Sequence, residues 1–365
     1  MKKLIMVPGP TNVHEETLRA MQKPIINHRS EDFHKLYSKL QENIKYVFQT
    51  NNDVFILSAS GTGGVEFAVS NFIDINDNVL IPVFGEFSGR LYKSIAKISN
   101  NVIKIEYEFG QGPTYEDVKK LFDIHKNISV VAIVANETST GVTVWDLEKI
   151  LKIAKDRGAI TIVDSVSILG GVNLPTDKWG IDVHVTASQK CLACPPGLAL
   201  VSVSREGVEK YEKNKHVKTS YFDLKSYIDF HSKFETPYTP AIPLFYALDT
   251  SLEMIREEGL FNVFARHEKS SEVFYRRALE MNFEIFPKEE FKSRTVISLK
   301  TPSQIAASQL ISKLSKEYNI EIAAGFGKLR ESMIRIGCMG IINEEIAKYT
   351  MDCIKRALLS FKQND

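Results

Sequence analysis

The chain has 365 residues, enough for more than one domain, and its 44% hydrophobic and 25% charged residues are the balance of an ordinary globular protein. The formal net charge is +1, so no nucleic-acid or membrane partner is expected, and no apolar run reaches the roughly 18 residues of a membrane span. Four cysteines in this length are not a disulfide framework, which points to a reducing, cytoplasmic setting.

The N-terminal "MKKLIMVPGPTN" begins like a signal peptide but is broken at Pro8-Gly9-Pro10 before an adequate apolar region forms. Residues 1–15 are expected to belong with the smaller domain or a dimer interface. Seven strand-like runs follow: "DVFILSAS" (53–60), "DNVLIPVF" (77–84), "NVIKIEYE" (101–108), "SVVAIVAN" (129–136), "AITIVDSV" (159–166), "DVHVTAS" (182–188) and "LALVSVS" (198–204). Helical patterns such as "YEDVKKLFDIHK" and "LEKILKIAKDRG" lie between them, the second closed by Gly158 as a C-terminal cap. Continuous apolar strands alternating with helices predict an α/β domain over 16–250, a mostly parallel seven-stranded sheet covered on both faces. Near residue 250 the texture changes. One long helical stretch over 243–280 leads into "TVISLK", "SQLISKLSKEYNIEIAAG", "MIRIGCMG" and a final helix, which predicts a smaller α+β domain over 251–365.

Ligands of open parallel sheets bind beyond the carboxyl ends of the strands. After the first run comes Ser60-Gly61-Thr62-Gly63-Gly64 and then a helix, either an anion site or a plain tight turn; it lacks the Gly-Lys-Ser/Thr ending of a Walker loop. After the second, Phe87 either stacks on a planar ring or faces the core. After the fourth, Glu137-Thr138-Ser139-Thr140-Gly141 is a hydroxyl-rich turn or a helix cap. The fifth ends in Asp164, a cap, a metal ligand or a catalytic carboxylate; no second acidic residue is evident for a magnesium site, and no metal is expected. After the sixth, Ser188-Gln189-Lys190 is set among small and apolar residues and closed by Pro-Pro-Gly. Burial there lowers a lysine's pKa and makes it a usable nucleophile toward a carbonyl.

In this order the strand ends resemble the class V branch of fold-type I pyridoxal-phosphate enzymes, in the alanine–glyoxylate and serine–pyruvate aminotransferase group. The matching segments run from "VPGPTNV" (7–13) through "SGTGGVE" (60–66), "ETSTGV" (137–142), "VDSVSILGG" (163–171), "TASQKCLACPPG" (186–197) and "TPYTPAIPLFYAL" (236–248) to "IRIGCMG" (334–340), nearly the whole chain. The resemblance implies pyridoxal 5'-phosphate as cofactor. Lys190 would be its Schiff-base lysine and the base that moves the proton, and Asp164 would pair with the pyridine nitrogen. Ser60, Gly61, Thr62 and Gln189 would hold the phosphate and Phe87 would stack on the ring, where relatives often carry tryptophan. Thr138 or Ser139, with Ser139 favoured, would bond the ring hydroxyl. Thr236 and Thr239 would reach the phosphate of the neighbouring subunit in a homodimer; relatives often have tyrosine at Thr236. Arg335 would bind the substrate carboxylate, and Gly9 would line the substrate pocket. The implied activity is ping-pong transamination between serine or alanine and glyoxylate or pyruvate.

Other readings compete. A 2-aminoethylphosphonate–pyruvate or aspartate aminotransferase would share the machinery. A cysteine desulfurase would need a cysteine on a mobile loop, and Cys338 is expected on a packed strand. A nicotinamide-dependent oxidoreductase would need an acidic residue ending the second strand, where Val83-Phe84-Gly85 stands. Cys191-x-x-Cys194 lacks the partner pair of a zinc site and reads as small buried residues of the loop.

Overall fold

The computed structural model describes residues 3–216, 219–302 and 304–362; residues 1–2 of the expected N-terminal segment and 363–365 of the expected small domain lie outside them. The seven runs form strands β1 (Asp53–Leu57), β2 (Asn78–Val83), β3 (Asn101–Glu106), β4 (Val130–Val134), β5 (Ile160–Asp164), β6 (Val183–Ala187) and β7 (Ala199–Val203). They make one sheet in the order β1-β7-β6-β5-β4-β2-β3. Only β7 runs antiparallel to its neighbours in it. Each strand is shorter than its run because residues at the ends of the run leave the sheet for the adjoining turns and helix caps. Every residue of β4, β6 and β7 is buried, including His184, Thr186 and Ser202, as expected of central strands with helices covering both faces. The edge strand β3 carries Lys104 and Glu106, which discourages pairing with another chain.

Helix α1 (Glu31–Phe48) starts at Ser30, whose hydroxyl accepts from Phe33 N–H. Helices α2 (Gly61–Phe72), α3 (Glu86–Ile95), α4 (Tyr115–Ile124) and α5 (Leu147–Asp156) follow strands β1, β2, β3 and β4. A Thr114–Asp117 capping box opens α4.

The long helical stretch is two helices, α6 (Ile242–Glu258) and α7 (Leu260–Glu280), separated at Gly259 with φ +85°. Beyond them lie β8 (Glu284–Ile285), β9 (Val296–Lys300), α8 (Ala307–Tyr318), β10 (Ala323–Ala324), β11 (Met333–Gly337) and α9 (Glu344–Lys362). The strands form an antiparallel sheet in the order β8-β9-β11-β10.

The division expected at residue 250 falls inside α6. Phe245, Leu248, Leu252 and Ile255 of α6 pack in the core of the large sheet, as do Leu260 and Val263 at the start of α7. Val273, Phe274 and Ala278, later in α7, pack in the second core with β9 and β11. The cores therefore change over within α7, between residues 263 and 273. The texture of the sequence changes where the strand–helix alternation stops, about one helix of chain before the core does. The N-terminal segment joins the second core: Leu4–Ile5 pairs in parallel with Ile320–Glu321, and Met6 is buried there.

Candidate functional site

The parallel strands β2, β4, β5 and β6 end on one side of the sheet, and β1, antiparallel only to β7, ends with them. The turns above these ends enclose a pocket lined by Ser60, Gly61, Thr62, Phe87, Thr138, Asp164, Gln189 and Lys190, together with Asn136 and Ser167. Eight residues distant in sequence and singled out from it thus share one cavity.

At one end is the start of α2. Its first internal bond runs from Gly64 N–H to Ser60 O (3.1 Å), so the N–H groups of Gly61 and Thr62 precede the ladder. Ser60 Oγ caps the helix by accepting from Gly63 N–H (3.3 Å), which leaves the hydroxyl proton to be donated elsewhere. Gln189 lines the same pocket, and its buried Oε1 has no partner among the described residues. Turned about its last bond, that amide presents N–H donors instead. Free N–H groups, a hydroxyl and an unengaged amide at a helix N-terminus make an anion cradle.

Asp164 ends β5. Its Oδ1 accepts from Val166 N–H (3.0 Å), and the second oxygen is left for a ligand. Burial pushes the carboxyl up to about 6, the Val166 N–H opposes the shift, and the Glu137 charge adds to it. A cationic ring nitrogen brought to this carboxylate would reverse the shift.

Lys190 follows β6 by three residues. Burial brings its amine down to about 8, and the Arg335 charge acts in the same direction. Its Nζ donates to the Pro8 carbonyl. Gly9, at φ +91°, packs directly on the lysine: a Cβ there would lie 2.5 Å from both Cδ and Nζ. The N-terminal strap is held from both sides. Thr11 N–H donates to Gln189 O (3.2 Å) and Thr11 Oγ1 to Lys190 O (3.2 Å), while Gly337 N–H of β11 donates to Met6 O (2.7 Å).

The hydroxyl-rich turn resolves into separate roles. Thr138 lines the pocket. Ser139 does not: its hydroxyl donates to Glu137 Oε1 (2.6 Å) and accepts from Glu86 N–H (3.0 Å). Both residues lie in the turn that follows Glu137, and the bonds of Ser139 to Glu137 and Glu86 leave only Thr138 of the pair lining the pocket. Glu137, quoted in the motif but given no role from sequence, is fully buried. It accepts from Phe87 N–H (3.2 Å), Ser88 N–H (2.8 Å), Ser88 Oγ (2.8 Å) and Ser139 N–H (3.1 Å), besides Ser139 Oγ. It therefore staples the N-terminus of α3, which carries Phe87, to the turn that carries Thr138. Gly85 makes room for it, since a Cβ there would lie 2.3 Å from Glu137 Cγ. A lone glutamate beside a run of hydroxyl residues was the only signal in the sequence.

Arg335 comes from the middle of β11, paired with Ser298 and Ala323. Its Nη1–H donates to the carbonyl of Thr138 (3.0 Å) and its Nε–H to Ala324 O (2.8 Å). Burial lowers its pKa to about 10, which still leaves it charged at neutral pH, and Glu137 opposes the shift. Thr236 and Thr239 lie elsewhere. Thr236 Oγ1 donates to Tyr238 O (2.8 Å), and both threonines line a separate hollow with Ser58 and Tyr221. Cys191 and Cys194 are buried free thiols; burial pushes Cys191 up to about 12 and Cys194 higher still.

Residues 9–344 match the family model of class-V aminotransferases. The chain is 40% identical over 359 residues to an uncharacterised aminotransferase of Methanocaldococcus jannaschii, covering 98% of this chain and 93% of that protein. It is 34% identical over 353 residues to the serine–glyoxylate aminotransferase of Arabidopsis thaliana, covering 93% and 86%. The crystal structure of alanine–glyoxylate aminotransferase from Nostoc sp. superposes with a TM-score of 0.93 at 29% identity, covering 98% of this chain and 96% of that one. With the sheet order and the pocket above, these matches show that the chain belongs to the class-V aminotransferase family, with the fold-type I architecture.

Proposed function

We propose that the protein is a pyridoxal-phosphate aminotransferase that moves the amino group of serine or alanine to glyoxylate or pyruvate in two half-reactions. The observation that carries the reading is the placement of Lys190 and Asp164 in one pocket, with the anion cradle at its end and Arg335 beside Thr138. The residues present fit the cofactor. Gly61, Thr62, Ser60 and Gln189 would hold its phosphate, Phe87 would cover its ring, Thr138 would meet its hydroxyl, and the free oxygen of Asp164 would take its pyridine N–H. When bound, the cofactor supplies the aldehyde that condenses with an amine and the ring that delocalises the electron pair left on the substrate α-carbon.

The protein's own residues do the rest. Lys190, with a pKa of about 8, is neutral often enough near neutral pH to attack a carbonyl and to accept a proton from carbon. The Pro8 carbonyl receives its N–H and holds the amine in place. Asp164 keeps the ring nitrogen protonated, and Arg335 takes the carboxylate that donor and acceptor share. The strap at Gly9 closes over Lys190 and limits water.

The same reading assigns Thr236 and Thr239 to the partner's cofactor in a cytoplasmic homodimer. It is supported by Thr239 being exposed outside the Lys190 pocket. The test is a half-reaction panel: cofactor-loaded protein mixed with serine, alanine, aspartate or 2-aminoethylphosphonate, following the loss of the visible cofactor band. Serine or alanine should convert fastest; conversion by none of the four would overturn the assignment.

A further inference from the structure

Arg335 is fastened along two edges, Nε–H to Ala324 O and Nη1–H to Thr138 O. Two anchored N–H groups on a planar fork fix the plane of the guanidinium. Phe326 covers one face of that plane, with its ring centroid 4.4 Å from Arg335 Cζ. Phe326 also meets Phe87, which lines the Lys190 pocket, edge-on at 6.1 Å and 86°. The backbone holds Phe326 in place: Gly325 N–H donates to Met333 O (2.8 Å) and Leu329 N–H to Phe326 O (2.9 Å). Nothing in the sequence reading singled out this phenylalanine.

We propose that Phe326 is a specificity-determining residue of this site, its ring on Arg335 and against Phe87 forming an apolar wall that restricts the amino donor to compact, uncharged side chains. The inference rests on Arg335 being the carboxylate fork. A carboxylate lying in the plane of that fork sets the substrate between the fork and Lys190, so its side chain runs past the two rings. A charged side chain there loses hydration and gains no partner. A long or branched one meets the Phe326 ring. Arg90, which also lines the pocket, has its Cζ 5.1 Å from the Phe87 ring and gives its Nε–H to Glu86 at 3.1 Å. A second carboxylate would have to compete with Glu86 for it.

The test compares cofactor-loaded wild type, Phe326→Leu and Phe326→Ala in single-turnover half-reactions with alanine, leucine and aspartate. Wild type should prefer alanine over each of the others by about tenfold or more, the scale of one or two misfitting methylenes. Phe326→Ala should move the leucine-to-alanine ratio at least about tenfold toward leucine, with Phe326→Leu between. Ratios within one variant cancel any loss of folded protein and any general weakening of Arg335. A shift below about threefold in both variants, or a wild type that takes aspartate as well as alanine, overturns the proposal. Calorimetric binding of propionate, 4-methylpentanoate and succinate to the same proteins gives a readout without turnover. If no amino acid reacts but Phe326→Ala gains about tenfold for 4-methylpentanoate over propionate, the wall stands and the transamination reading falls. If that ratio is also unmoved, both fall.

Discussion

Lys190, Asp164 and Thr138 line the pocket from the ends of strands that share one sheet or just beyond them, whereas Arg335, from the middle of β11 in the other sheet, meets the pocket through the Thr138 carbonyl. The first three are placed by the backbone of the large sheet. Arg335 is placed by the docking of two cores and by the strap from Met6 to Thr11 that bonds to both. The difference teaches where each function is vulnerable. In the proposed reaction the groups at the strand ends would act on the proton and the electrons, and their loss should fall on kcat. The group brought by the second core would act on the substrate carboxylate, and its loss should fall on KM.

The largest expected effect is at Lys190. Lys190→Ala should abolish the visible cofactor band and lower transamination by on the order of 10⁴-fold; retained turnover would break the assignment of the strand-end group. Arg335→Ala should raise KM for both amino donor and oxo-acid acceptor by roughly 100-fold, the worth of a charge-assisted bidentate contact, with kcat much less affected. Steady-state kinetics check it: an effect on one substrate alone would mean that the two bind their carboxylates differently. Glu137→Ala tests the staple between the two turns. It strips five donors of a buried acceptor and should cost on the order of 3 kcal/mol in denaturant unfolding. A loss under about 1 kcal/mol would show that the turn holds itself.

The next expectation concerns pH. In the cofactor-free protein the rate of covalent cofactor capture should rise with pH and level off around Lys190's folded value of about 8, not near 10.5. The sign for stability follows. Between about 8 and 10.5 the unfolded lysine binds a proton that the folded one has shed, so the cofactor-free protein should gain stability as pH rises through that window. A capture midpoint near 10 would mean that the lysine is solvated. The smallest effect is expected at Cys194→Ala: a buried inert thiol replaced by a smaller side chain should cost about 1 kcal/mol and leave the kinetics unchanged.

The sheet was legible because its strands are short, mostly apolar runs separated by helical patterns, and in the central strands that pattern reflects burial on both faces. Asp164 and Lys190 were legible for a related reason: a carboxylate at the tip of an apolar strand, and a lysine among small apolar residues, both conflict with their surroundings unless they serve chemistry. The choice between Thr138 and Ser139 was not legible. It depends on which hydroxyl of the turn is taken up by Glu137, a contact fixed only in the folded structure. Glu137 was hidden because its donors lie 49 to 50 residues away on α3 as well as beside it. The change of core was not legible for a similar reason: the start of α7 packs with α6 in the core of the large sheet and its later part in the second core, with no break in its sequence pattern.

From the order and spacing of its residues alone, then, the chain specifies an α/β sheet with Asp164 and Lys190 at or just after the ends of successive strand-like runs, because the alternation of apolar runs and helical periodicity is a local pattern. Arg335 beneath Phe326, the strap carbonyl on Lys190 and the Glu137 staple belong to the folded molecule. Each joins atoms that are 9 to 197 residues apart, or turns on which way one side chain points, and those relations exist only once the two cores have packed.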